Sequence, residues 1–513
     1  MRIGVDVGGT NTDAVLMKGK EVVHGVKTTT TEEPGLGIIE AVSSILNSSK
    51  LSPKEIESIM IGTTQFTNAF VENKRLEKVA VVRLGYPATI SVPPCIDFSN
   101  NLRKILGKDF WIVPGGYEFD GRFLGDWSES DIEKVAKEIA EKEIKYIAIS
   151  CVFSPINERQ EIETSKIIQK YNPNSIITMS HRIGRVGFIE RENATIMNSS
   201  LGNLADKVIS SFKEALVKLN ITCPFYISQN DGTLMSAEIV KNYPVLTFAS
   251  GPTNSMRGAA FLSGHKDAIV VDIGGTTTDF GVIKEGFPRE SSIPVDIGGV
   301  RTNFRMPDLI SIGLGGGSLV KIMNDKISVG PESVGYKLNS ESFIFGGKTL
   351  TTSDIAVAKG IANFGDKNNV KHIDDLTIDR ALEKIKEMVE EGIDRIKLNK
   401  DLVPVVLVGG GSVLVKGNLK GTKEVLIPDH SDVANAIGAS LAQAGGEIDK
   451  IYSYNDIGRD KAIDLAKKDA VNRAIQAGAI QNTISIIELE EIPLSYLPSG
   501  AVRLHVKAVG DIF

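Results

Sequence analysis

Residues 3–13 read IGVDVGGTNTD, and residues 269–279 read IVVDIGGTTTD. In each copy an apolar run ends in an aspartate, Asp6 or Asp272, and two glycines follow, Gly8-Gly9 or Gly274-Gly275. Threonines come next, Thr10 and Thr12 or Thr276 and Thr278, and a second aspartate, Asp13 or Asp279, closes the motif. The apolar run has strand composition and the glycine pair has turn chemistry, so each copy predicts strand, tight turn, strand. The separation is far too long for a solenoid repeat. Two homologous domains, each opening its sheet with the same hairpin and facing a shared cleft, are the expectation.

The flanking sequence agrees with that unit. Residues 3–7, 59–61, 79–84, 146–153 and 176–179 read as strands, several apolar on both faces as in buried sheets. Helices are predicted over 34–46, opening on a proline, and from a Ser130/Glu133 capping box to about residue 143. After a long helical stretch at 190–219 a second series follows, with strands at 269–273 and 403–408 and a helix over 378–397 between them. The alternation is that of an α/β fold. We place the first domain at 1–200, the second at 201–447, and an appendage at 448–513. The appendage reads as a helix over 460–477, then half-solvated antiparallel strands at 483–489 and 502–509, and is expected to pack on the second domain.

Composition narrows the class. A chain of 513 residues needs more than one core, and 42% hydrophobic with 24% charged residues is globular rather than disordered. The net charge of −6 supplies no basic field for nucleic acid. Three scattered cysteines, Cys95, Cys151 and Cys223, fit neither a disulfide framework nor a thiolate metal site, and a reducing cytoplasm is expected. No signal peptide or membrane-spanning run is read.

The repeated motif suits phosphate chemistry. Glycine removes the Cβ that would block close approach of an anion, turn amides can point at it, and hydroxyls add donors. A strand-end carboxylate suits Mg²⁺, which keeps most of its waters beside nucleotide phosphates, so Asp6 and Asp272 are the metal candidates. Asp13 and Asp279 are further catalytic candidates that could equally pair with a nearby base or amide. A single Gly-Gly turn is ordinary hairpin chemistry; two in register favour function. A third element, a buried strand opening into Gly409-Gly410-Gly411-Ser412, could lie flat against adenine and ribose or mark a close backbone crossing. Gly347-Lys348-Thr349 lacks the first glycine of a P-loop, because Ser342 stands there. The glycine-rich run 313–318 is a cleft element of unassigned role. His24, His265, His372 and His505 read as surface or turn residues. His181 leads a charged cluster, Arg182, Arg185, Glu190, Arg191, Glu192 and Asn193, which reads either as a site or as a solvated loop with helix-face ion pairs.

These motifs resemble those of the actin, sugar-kinase and heat-shock chaperone ATPases, and within them the hydantoinase/oxoprolinase A family. The resemblance rests on residues 2–10, Gly62-Thr63-Thr64 with Thr67-Asn68-Ala69, Ser180-His181, 191–195, 229–232, Ser250-Gly251-Pro252, 271–276, 313–318, Val329-Gly330-Pro331 and Thr352-Ser353-Asp354. It implies two ribonuclease H-like, actin-like ATPase domains around a nucleotide cleft. It also implies ATP and Mg²⁺ as cofactors, with Asp6, Asp272, Gly8, Gly9, Thr10, Thr12, Gly274, Gly275, Thr276, Thr278, Gly409, Gly410, Gly411 and Ser412 about them. The implied activity is ATP-dependent opening of a hydantoin, 5-oxoproline or related cyclic amide. This chain would phosphorylate the amide oxygen and a separate B-type subunit would hydrolyse the activated ring; a homo-oligomer is also compatible. An ATP-gated reactivase or assembly factor and a small-molecule kinase are the alternatives on the same fold. Two positions depart from the family pattern: Ile310 stands where a histidine is common, and Thr253-Asn254-Ser255 follow Ser-Gly-Pro where small residues and glycine are usual.

Overall fold

The structure is a computed structural model that describes residues 1–8, 11–30, 34–291, 293–323, 326–441, 443–494 and 500–512. Both hairpins form. Arg2–Val7 pairs antiparallel with Asn11–Lys18, setting Asp6 opposite Asp13, and Ala268–Ile273 pairs with Thr278–Lys284, setting Asp272 opposite Asp279. Each opening strand has a parallel neighbour: Ser58–Thr63, which carries Gly62 and leads into the helix Gln65–Val71, beside the first, and Val403–Val408, which opens into Gly409-Gly410-Gly411, beside the second. The flanked strands are buried on both faces, as parallel pairing with helices above and below requires.

Strand pairing groups the chain differently from a division at residues 200 and 447. The first sheet has nine strands in the order 485–493, 501–510, 444–453, 234–236, 225–228, 58–63, 2–7, 11–18, 21–29. The second sheet contains 287–288, 278–284, 268–273, 403–408 and 422–426, with 309–312 also on 278–284. Strands 110–114, 79–86, 146–151 and 176–179 form a separate, wholly parallel sheet.

The C-terminal appendage joins the rest of the chain through Ala444–Ser453, which pairs with Leu234–Ser236 inside the 201–447 segment, and its strands thereby extend the sheet that also holds the first hairpin. For the same reason Ala501–Gly510 is not half-solvated. It lies between two strands and is almost wholly buried, and only the outer strand, Ser485–Pro493, meets solvent. The stretch 190–219 forms two helices, Phe188–Ser200 and Gly202–Lys218. The helix is capped not at Ser130 but at Ser128, whose hydroxyl accepts from the Asp131 amide, and the expected Ser130/Glu133 capping box does not form. Among the described residues no helix is long and apolar enough to cross a membrane.

Two helices join the halves. Ser250–Ser263 lies on the strands of the second sheet, and Ala434–Leu441 lies on the first hairpin. Where they cross, a Cβ on Gly258 would fall 1.8 Å from the Ala434 carbonyl oxygen, and one on Gly438 would fall 1.8 Å from that of Asn254. Backbone meets backbone there, which only glycine permits.

Candidate functional site

That crossing gathers the carboxylates. Asn254 Nδ2 donates to Asp6 Oδ1 at 3.4 Å, and the next residue, Ser255, donates through Oγ to Asp272 Oδ2 at 2.5 Å. Adjacent residues of one helix thus hold an aspartate from each copy of the motif. From the other helix, Asn435 Nδ2 donates to both Asp6 Oδ2 and Asp13 Oδ2 at 3.0 Å. Lys27 pairs with Asp13 at 2.6 Å, and Ser311 donates to Asp279.

Burial pushes the Asp6 carboxyl up to about 7, and the nearby charges of Asp13 and Asp272 add to the rise against the two asparagine hydrogen bonds. Burial likewise pushes Asp279 up to about 6, against the Ser311 hydrogen bond. Asp272 and Asp13 are also raised by burial, opposed chiefly by Ser255 and by Lys27 respectively. Asp6 and Asp13 are buried and Asp272 and Asp279 half-buried, and among the described residues only Asp13 of the four has a cation, Lys27, within ion-pair distance. The arrangement suits a hydrated divalent ion held by few protein oxygens. Among the described residues the four aspartates do not bring three ligand atoms together. The group that does is Glu488, Glu490 and His505. His505, expected at the surface, is buried on its strand beside these glutamates.

The glycines about these acids make space. A Cβ on Gly62 would lie 2.3 Å from Asp6 Oδ1, and one on Gly409 would lie 2.3 Å from Asp272 Oδ1. The two turns also close alike: the Gly8 amide donates to the Asn11 carbonyl and the Gly274 amide to the Thr277 carbonyl. Gly9 and Thr10 lie outside the described residues. The run 313–318 acquires a place. The Gly316 and Gly317 amides donate to the Gly274 and Gly275 carbonyls, so this loop underlies the second turn. Thr278, expected among the phosphate contacts, donates its hydroxyl to the Leu314 carbonyl, and Thr12 shares its hydroxyl with Thr30, both fully buried. Gly275 faces open space, and Thr276 is half-buried beside it. Gly411 packs on Ile273 and donates to its carbonyl, Gly410 faces open space, and the Ser412 amide donates to Gly409.

A cavity of about 710 Å³ is walled by 154–158 and 181–185, by Gln229–Asp231, and by residues of the C-terminal strands and helix; none of the four aspartates lines it. Strands 2–7, 58–63 and 225–228 run parallel and end at one edge, which puts Gln229 beside the cleft. Thr253 Oγ1 donates to the Gln229 carbonyl at 3.2 Å. Thr253, Asn254 and Ser255 therefore link cavity, Asp6 and Asp272 in one turn.

The charged cluster after His181 is not a solvated loop throughout. Arg191, Glu192 and Asn193 are buried, and Glu192 takes a two-pronged ion pair from Arg83 and a hydrogen bond from Ser150. Arg83, inside an apolar strand, carries no sequence signal of this role. The same holds for Asn435 and Glu161. Asn254 and Ser255 are legible only as departures after Ser-Gly-Pro.

The two-unit α/β architecture with a hairpin pair across a helix crossing defines the class of the actin-like and sugar-kinase-type ATPase folds. The chain belongs to the hydantoinase/oxoprolinase family: residues 2–172 match the model "Hydantoinase/oxoprolinase N-terminal region" and residues 191–366 match "Hydantoinase/oxoprolinase". It is 24% identical over 538 residues to the caprolactamase subunit alpha of Pseudomonas jessenii, covering 93% of this chain and 74% of that one. It is also 24% identical over 391 residues to the acetophenone carboxylase gamma subunit of Aromatoleum aromaticum, covering 70% of this chain and about half, 53%, of that one. The crystal structure of the ATP-dependent caprolactamase from Pseudomonas jessenii superposes with a TM-score of 0.79 at 18% identity, covering 99% of this chain and 87% of that chain.

Proposed function

We propose that this chain binds ATP with Mg²⁺ between its two hairpins and uses it to phosphorylate the carbonyl oxygen of a cyclic amide, which a separate subunit then hydrolyses. The observation that carries the reading is the Thr253-Asn254-Ser255 turn, which holds both strand-end carboxylates and, through Thr253, the carbonyl of Gln229 in the wall of a cavity of small-molecule size. Asp6 and Asp272 would hold the hydrated cation, whose charge offsets that of the phosphates. The turn at Gly274-Gly275-Thr276, backed by 313–318, would receive phosphate. The 409–412 turn, open at Gly410, would receive the nucleoside.

The chemistry explains the division of labour. An unactivated lactam carbonyl is a poor electrophile, and phosphorylating its oxygen turns that oxygen into a leaving group. The subunit names of the two relatives support a partnered enzyme. The carboxylase relative supports a second acceptor class, ketones.

The test is ADP release by the purified chain with Mg²⁺, in the presence of lactams, hydantoins, and ketones with bicarbonate, followed by mass spectrometry. Stimulation by a cyclic amide, with ring opening only when a second subunit is added, is the expected result. Efficient ring opening by the chain alone defeats the two-component reading. A stable phosphorylated product would make it a kinase, and stimulation only by a protein client would make it an assembly factor.

A further inference from the structure

Within the cavity wall the Nε2 of His181 makes no hydrogen bond among the described residues. His181 Nδ1 lies 2.6 Å from Glu161 Oε2, which also accepts from the His181 backbone amide, while Glu161 Oε1 accepts from the Ser180 hydroxyl. Ser180 is in turn held by Arg191 Nε at 3.0 Å, and the rest of that guanidinium donates to the carbonyls of Arg185, Val186 and Cys151. Burial raises the Glu161 carboxyl, but the hydrogen bond and charge of His181, the Ser180 hydrogen bond and the Arg191 charge outweigh it and hold the group below its usual range. An ionised carboxylate only accepts, so Nδ1 carries a proton toward Glu161, and Nε2 is the ring atom left over for a ligand.

Every polar atom on the Glu161 side of this network is satisfied. Nε2 is buried with no hydrogen bond, the Glu158 carboxylate standing 3.5 Å away. A buried polar atom without a hydrogen bond is destabilising, and a group from a ligand in the cavity that His181 lines would relieve it. The same wall carries Arg182, and Arg473 lies on the C-terminal helix. Among the described residues neither guanidinium has a carboxylate within ion-pair distance, although Arg473 donates to the Glu447 carbonyl at 2.8 Å. The lining acids Asp231, Glu447, Asp449 and Asp469 are already paired, with Lys507, Arg305, Arg503 and Lys450. The cavity therefore asks for a ligand that donates N–H at one point and offers a carbonyl oxygen beside it.

We propose that His181 is the proton acceptor for a cyclic amide or imide seated in this cavity. The inference rests on the cleft reading given under Proposed function. As the ring carbonyl oxygen bonds to the γ-phosphorus, the bond from that phosphorus to the departing ADP oxygen breaks. The ring N–H proton passes to His181 Nε2, and its electron pair becomes the C=N π bond of an O-phosphorylated imidate, whose remaining charge lies on the phosphoryl oxygens. Glu161 is a positioning residue, which fixes the tautomer and steadies the imidazolium that results.

The test uses the full chain with ¹⁵N-labelled histidine, and the His181→Gln variant assigns the resonances. Hydantoin and a five-membered lactam should move the Nε2 resonance, and their N-methylated counterparts should not. His181→Gln should lower lactam-stimulated ADP release by about 100-fold or more. An Nε2 resonance unmoved by saturating ring amide, or moved equally by the N-methyl compounds, overturns the proposal, as does an unchanged stimulated rate in His181→Gln. If that variant does not fold, the wild-type spectra decide. Stimulated ADP release with Nε2 unmoved breaks this inference and leaves the cleft reading; a specific Nε2 response without ADP release breaks the cleft reading and leaves the ring seat.

Discussion

The two copies of the aspartate hairpin share sequence, register and turn closure, yet their acids live differently. In the first, Asp6 and Asp13 are bridged by Asn435, with Lys27 beside Asp13. In the second, Asp272 and Asp279 each have a serine hydroxyl, Ser255 or Ser311, and no cation within ion-pair distance among the described residues. One motif has become a braced pair and the other a pair of lightly held carboxylates. A repeated strand-turn-strand defines where an acid stands, and the helices laid across it decide what that acid can do.

The sharpest way to break this comparison is to remove each strand-end carboxylate in turn. If both serve one Mg²⁺-nucleotide site, Asp6→Ala and Asp272→Ala should each cut Mg²⁺-dependent ATP hydrolysis by about 100-fold or more while the melting transition persists. Full activity in both folded variants would sink the shared site. Loss in only one would show that the copies have diverged in role.

The second prediction concerns pH. A carboxyl raised to about 7 when folded binds a proton that the unfolded chain, with a carboxyl near 3.8, releases earlier. Its contribution is therefore fully present below about pH 4 and lost as pH rises through 7, on the order of 2–4 kcal/mol in the ligand-free chain. Asp6→Asn should flatten that fall in thermal melts between pH 5 and 8, and added Mg²⁺ should stabilise the wild type more at pH 8 than at pH 5. A wild-type melting temperature that climbs over this range would contradict the assignment.

A smaller effect is expected at Gly410. Its Cβ position is open, so Gly410→Val should fold as the parent does and weaken ATP binding by about tenfold through the nucleoside alone. Calorimetric titration giving parental affinity would move that site elsewhere. The smallest effect compares matched glycines. Gly62→Ala and Gly409→Ala place equal crowding on Asp6 and Asp272, but Gly409 also has φ of +83°. The second variant should therefore be the less stable by about 1 kcal/mol in urea unfolding; equal losses would show that the turn relaxes.

Much of the fold was legible because it is local. Glycine pairs, apolar runs and caps announced both hairpins, and strands 176–179 and 403–408 fall at their expected limits. Partner choice was not legible, because nothing in the period-2 pattern of 502–509 tells which sheet edge it will meet. Site residues divide along the same line. Asp6 and Asp272 sit on the motif itself. Asn435, Arg83 and Glu161 act only through groups distant in sequence, and the hydroxyls of Thr12 and Thr278 turned inward because a neighbouring strand or loop offered an acceptor.

The extension of the first sheet by 444–510 also has a consequence for biosynthesis. The strand at 234–236 leaves the ribosome long before its parallel neighbour at 444–453 exists. At about 5–20 residues per second the bare edge waits on the order of 10 seconds or more, an interval in which nascent chains are vulnerable to edge-to-edge association. The second sheet, whose strands all fall between 268 and 426, can close during that wait. The unit nearest the N-terminus is thus the one finished last, and a chaperone that shields the 234–236 edge would act on the step where yield is decided.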